Sequence, residues 1–313
     1  MRRFLALTRT AAVESLAEPL TAVLFLSGFG MVHLAPAFHY HQFGEAGRLA
    51  RECGFSALLV FGLVFATASA VRTVGRELES GTAAAALALA VPRPLFLAAK
   101  IAGVTVSLAL FACAVSCATA LSRASSVIAS YAQAEHGVSA QSWGPGLAAG
   151  VGFTLGAFAL AAAANRFARA RFCWTACLAM TVAQPLALGV AALAGRDLPP
   201  SFEGFAATLW RLLPAFAALT AGCTVFVVFA GALATRLRPA AVTACVAVAI
   251  VSSFVHPLRA ILPDINRFWL VDGLANGGAL GWGDVLPALA VGALLTAFWL
   301  VVGSILLIRR EIP

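Results

Sequence analysis

The residues of this chain that could do chemistry are few, and most stand where chemistry is hard to build. His39 and His41 flank Tyr40, with Glu45 nearby. Two imidazoles and a carboxylate can hold a metal, but the spacing implies no further ordered ligand. The group reads as polar loop content. Cys113/Cys117 and Cys173/Cys177 are Cys-x3-Cys pairs, each on one helix face; Cys53, Cys223 and Cys245 complete seven thiols in or beside apolar runs. Thiols so placed read as small buried hydrophobes rather than as metal ligands or disulfides. Leu26-Ser27-Gly28-Phe29-Gly30 looks like a phosphate-cradling loop, yet it lies inside an apolar run. No G-x-x-x-x-G-K-[ST] occurs anywhere. No catalytic residue, metal or cofactor is therefore expected on this chain itself.

The elements that must position these residues are membrane helices. Of 313 residues, 61% are hydrophobic and 11% charged, against about 25% charged in soluble domains. About 20 apolar residues span a bilayer, which gives eight candidates: 19–38, 54–74, 101–122, 145–165, 172–194, 212–235, 240–257 and 285–308. Pro185 is expected to kink the fifth. The fold class is thus an all-α, polytopic membrane protein, one transmembrane domain over 1–313. The opening residues 1–18 lack the apolar core of a signal sequence and read as an amphipathic helix on the membrane surface. Gly146/Gly150 and Gly152/Gly156 allow close helix packing, read as intramolecular.

Placing the N-terminus in the cytoplasm puts 14 of the 21 Lys and Arg on the inner side, including Arg72, Arg166, Arg169, Arg171, Arg236, Arg238, Arg309 and Arg310. This is the positive-inside pattern, with both termini expected in the cytoplasm. Small groups of Arg between apolar runs do not make a nucleic-acid surface. No expected span has Asp, Glu, Lys or Arg at its centre, which argues against an ion-driven carrier and an intramembrane hydrolase.

The run Val71–Lys100, VRTVGRELESGTAAAALALAVPRPLFLAAK, is the exception to this greasy composition. Arg76, Glu77 and Glu79 form a charged head, and Ser80, Gly81 and Thr82 a turn, with Thr82 as N-cap. Ala83–Ala90 predicts a short helix of about 12 Å, stopped by Pro92 and Pro94. By physics alone it is either a docking element or a well-built loop that contacts nothing.

Glu77-Leu78-Glu79-Ser80-Gly81-Thr82, then Val91-Pro92-Arg93-Pro94, then Lys100-Ile101-Ala102-Gly103, resembles the pattern of ABC-2 type transporter permeases. Ala17-Glu18-Pro19-Leu20 is similar to that family's interfacial entry, and Leu262-Pro263-Asp264-Ile265-Asn266-Arg267-Phe268 to its outer re-entrant segment. Eight spans exceed that family's usual six, and Ala99 stands where it has Gly. The resemblance implies a permease without ATPase activity. It would pair with a separate ATPase subunit, which carries ATP and Mg, and with a second permease copy or a related one.

Docking would fall to Arg76, Glu77, Glu79, Ser80, Gly81 and Thr82, with Leu87 on the short helix, Pro92 and Arg93 closing it, and Lys100 anchoring it at the interface. Pro263, Asp264, Asn266, Phe268 and Trp269, within the amphipathic stretch 258–284, would form an outer gate. Export by an ATP-driven transporter is the resulting expectation. A membrane scaffold without transport, or a lipid-processing enzyme, are the alternatives; the lack of clustered acids and His disfavours the enzyme.

Overall fold

A computed structural model describes residues 1–36, 47–81, 83, 91–136, 144–194, 205–253, 263–278 and 280–310. Helices α1 (Arg2–Leu16) and α2 (Pro19–Leu34) meet at an angle of 67°. Helix α3 (Arg48–Ala70) runs through a π-helical turn, Val71–Arg76, into a last turn, Glu77–Glu79. Then come α4 (Arg93–His136), α5 (Gly144–Ala168), α6 (Phe172–Ala194), α7 (Phe205–Ala234) and α8 (Pro239–Ser252). Two 3-10 segments, Ile265–Phe268 and Val271–Gly277, lead into α9 (Trp282–Ile308). Among the described residues there is no strand.

Local chemistry sets several of these ends. Pro19 and Pro239 occupy the first helical turn of α2 and α8, where a missing amide donor costs nothing. The Asp284 carboxylate accepts from the Gly281 amide at 2.9 Å and complements the positive end of α9.

Among the described residues six helices are long and apolar enough to cross a membrane, or seven if the bent pair α1–α2 is one span. Within the expected spans 19–38 and 240–257 the described helices are the 16-residue α2 and the 14-residue α8, and residues 37–38 and 254–257 lie outside the described residues. At about 21 Å, α8 falls short of a hydrocarbon core of about 30 Å. At its end the Ser253 hydroxyl donates to the Pro263 carbonyl at 3.5 Å and accepts from the Ile265 amide at 3.2 Å. The expected loop 123–144 is helical through His136, because α4 runs for 44 residues. Pro185 lies inside α6, which continues past it as one helix.

Helices α3, α4 and α7 form the centre and α5 and α9 the periphery: the apolar stretch of α7 is 72% buried, that of α9 17%. Phe25 of α2 packs on Phe111 of α4, and Phe55 of α3 on Phe216 of α7, each with ring centroids 4.7 Å apart. Small residues let backbones close. Gly54 of α3 lies against Thr119 of α4, and Gly103 of α4 against Thr8 and Ala11 of α1. Helix α1 therefore packs along α4, burying Ala11, Ser15 and Leu16 and leaving Arg2, Arg3 and Arg9 exposed. The hydroxyls of Ser15 and Ser107 fix that contact at 2.8 Å.

Candidate functional site

The charged segment emerges from α3 through the π turn. Such a turn carries more residues than an α-turn and marks functional positions in many helices. Beyond it Leu78 is buried, whereas Arg76, Glu79 and Ser80 are exposed. Gly81 has φ +74°, a conformation that favours a residue without a β-carbon. Thr82, Leu87 and most of the expected helix Ala83–Ala90 lie outside the described residues. Just before α4, Val91 is buried and Pro92 exposed.

Lys100 does not sit at an interface facing solvent. It is 2% exposed, and its Nζ donates to Glu77 Oε1 at 2.5 Å and to Glu14 Oε2 at 3.2 Å. One ammonium thus ties the end of α3, the start of α4 and the end of α1. A second pair, Arg72 with Glu18, joins the π turn to the elbow between α1 and α2. Burial makes such a cluster a strong constraint, because removing one partner leaves a desolvated charge. Glu14 and Glu18 carry no motif that marks them as partners of this segment: Glu14 lies in the last turn of α1, Glu18 is the extended N-cap of α2, and only the packing of α1 and the 67° elbow bring them to Lys100 and Arg72.

Arg93 caps the end of α9. Its Nη1 donates to the carbonyls of Leu307, Ile308 and Arg310, at 3.2, 2.7 and 2.8 Å. Arg236 donates to the Leu306 carbonyl at 3.1 Å, and Arg310 to that of Thr235 at 2.6 Å. Three guanidiniums thus satisfy the last carbonyls of α7 and α9, where the helix dipole is negative. This basic end of the bundle also carries the charged segment.

The five candidate gate residues come together at the far side of the bundle. Pro263 and Asp264 are buried, and the Asp264 carboxylate accepts from the Asn266 amide at 3.0 Å. Asn266 Nδ2 donates to the Ser253 carbonyl at 2.6 Å, locking the segment to the end of α8. Phe268 enters a slot between α7 and α9; a β-carbon added at Gly222 would lie 2.9 Å from its ring, and one at Gly292 3.1 Å. Gly292 is ten residues into α9, about 15 Å along its axis, so the segment dips into the bundle. Trp269 packs half-buried on the core, and Arg51 of α3 donates to the Leu274 carbonyl at 2.8 Å.

A polar chain missed in the sequence crosses the apolar interior. His33 Nε2 meets Gln184 Oε1 at 2.9 Å, Gln184 Nε2 donates to Thr154 Oγ1 at 2.9 Å, and Thr154 donates to the Gly150 carbonyl at 2.8 Å. Each residue alone reads as one tolerated polar side chain in a long apolar run. Gly150 leaves room for the His33 ring, so this glycine serves the intramolecular packing expected of it; Gly152 and Gly156 face open space. His39, His41 and Glu45 lie outside the described residues. Among the described residues no group of three His, Cys, Asp or Glu converges as a metal site, and the seven Cys are unbridged.

In comparisons with known proteins, no family model, no curated protein and no solved structure matches the chain.

Proposed function

We propose that the chain is the membrane-spanning permease subunit of an ATP-driven transporter of the ABC-2 type. It would work as a dimer in a bacterial inner membrane, with both termini in the cytoplasm. ATP and Mg would bind a separate ATPase subunit, this chain having no enzymatic activity of its own. The direction would be export. The observation that carries this reading is the Lys100–Glu77–Glu14 cluster at the root of the one strongly charged segment. A segment that only bridges two helices needs no buried ionic anchor. One that receives force from a soluble partner does, because motion at Arg76, Glu79 and Ser80 must reach α1, α3 and α4 together. In this reading the dipping segment around Phe268, seated between α7 and α9, would respond as the outer gate.

The test is co-purification of a P-loop ATPase with the tagged full-length chain from its own membranes. Arg76→Glu with Glu79→Lys changes two exposed side chains outside the buried cluster. The double variant is expected to lose the ATPase while keeping the melting temperature of the chain. An undiminished complex in that variant overturns the docking assignment. A chain that never carries an ATPase favours the scaffold reading.

A further inference from the structure

The hairpin of α5 and α6 has features that neither docking nor gating uses. Between Glu135 and Asp197 the sequence has no acidic residue, yet Arg166, Arg169 and Arg171 fall within six positions at the turn joining the two helices. All three are exposed, and among the described residues none forms an ion pair. The turn itself is shaped: Asn165 Nδ2 donates to the Ala170 carbonyl at 2.8 Å, and Arg169 holds φ 53°. Phe167 beside it is 85% exposed.

From this turn an apolar cavity of about 750 Å³ runs along the hairpin. Gly152 and Gly156 form its floor, with no atom within 4 Å of a β-carbon added at either. Leu160, Val182 and Leu186 form exposed walls. Ala148 to Leu160 is thirteen residues, about 18 Å of helix, close to one leaflet of a core about 30 Å thick. Leu160 and Thr175, at the near end of the cavity, lie six and four residues from Arg166 and Arg171.

Length, apolar lining and a charged head at one end together describe a phospholipid. A zwitterionic headgroup would leave the three guanidiniums without a net counter-charge; an anionic one supplies phosphate oxygens that match the guanidinium fork. A second copy of the chain fits less well. Side-by-side pairing of two hairpins in one membrane would bring six Arg together without a carboxylate. We propose that the groove between α5 and α6 binds one anionic phospholipid, an acyl chain lying along Gly152 and Gly156 and the phosphate at Arg166, Arg169 and Arg171. This holds whether or not the chain is a permease.

Full-length protein in nanodiscs of phosphatidylcholine mixed with phosphatidylglycerol, released and weighed by native mass spectrometry, tests the site. The wild type is expected to retain one phosphatidylglycerol in preference to phosphatidylcholine. Arg166→Gln with Arg169→Asn and Arg171→Gln should weaken retention by about tenfold or more, given the attraction of each basic residue to anionic lipid. Gly152→Leu with Gly156→Leu fills the groove without touching a charge and should lose the lipid too. Arg2→Gln with Arg3→Gln should retain it. Equal retention of both lipids, retention that survives the charge or the groove variant, or loss in the Arg2/Arg3 control overturns the proposal. So does efficient cross-linking of two copies through Gly156→Cys in membranes, which would make the groove a protein interface.

Discussion

Lys100 and Glu77 meet at 2.5 Å across the gap between α4 and the last turn of α3, with the ammonium also held by Glu14 of α1. Three chain segments, 86 and 23 residues from Lys100 at their carboxylates, are fixed by one side chain. The π turn immediately before Glu77 and the elbow beside Glu18 are the two irregular backbone features there, and the Arg72–Glu18 pair bridges them. The charged segment is therefore stiffly attached at its root while Arg76 and Glu79 remain exposed.

Glu77→Gln is expected to lower the stability of the detergent-solubilised chain by about 2–3 kcal/mol, below the full cost of opening a deeply buried pair because Glu14 stays in place. Lys100→Met with Glu77→Leu should recover much of that loss, since an apolar pair asks for no compensating charge. Melting curves of Lys100→Met, of Glu77→Leu and of the double variant form a cycle, and additive losses would sink the assigned coupling.

Phe268→Ala empties the slot between Gly222 and Gly292 and should cost about 3 kcal/mol. Gly222→Ala in the wild type forces its new methyl to 2.9 Å from the ring, at about 1–3 kcal/mol. In the Phe268→Ala background the same methyl has space and should be near neutral. Thermal unfolding of the four proteins decides this; equal effects of Gly222→Ala in both backgrounds would place Phe268 elsewhere.

The elements were largely legible in the sequence and their partners were not. Long apolar runs announced α3 to α7 and α9, because crossing a bilayer demands length and composition that chance seldom supplies. Of the run at 240–257, Pro239–Ser252 is helical, and 254–257 lie outside the described residues. Lys100 stood at the edge of an apolar run, where a lysine ordinarily reaches the interface; its burial depends on Glu14, which only the packing of α1 on α4 brings near. Gly146/Gly150 and Gly152/Gly156 share one spacing, yet His33 fills the space beside Gly150 and nothing fills that beside Gly152 or Gly156. Spacing marks where helices can close, and the neighbouring helix decides whether they do.

Gln184→Leu removes the centre of the chain from His33 to Thr154 and strands both ends. Hydrogen bonds between membrane helices are worth about 0.6 kcal/mol on average and reach about 1.7. The variant should therefore lose about 1 kcal/mol and loosen α6 against α2 and α5. Thr154→Val, which keeps the His33–Gln184 bond, should lose less. Steric trapping or reversible unfolding in detergent measures both, and a larger loss for Thr154→Val would reverse the assigned order.

Arg93→Gln tests the cap on α9 without disturbing the ion pairs of Lys100. Its guanidinium serves three carbonyls at the end of α9, two of them at 2.8 Å or less. Glutamine can serve at most a fraction of them and carries no charge against the helix dipole, whose interaction with a cation is worth about 0.3–1 kcal/mol at exposed sites. With the lost hydrogen bonds the whole effect should come to about 1–3 kcal/mol, since bonds from charged donors exceed neutral ones. The loss should be local: amide exchange should accelerate over the last turn of α9 before the rest of the helix. Arg93→Lys should restore part of the protection through a single charged donor, though without the fork. Exchange that is unchanged over residues 305–310 in Arg93→Gln would mean that Arg236 alone fixes this end, and that the contact from Arg93 is dispensable.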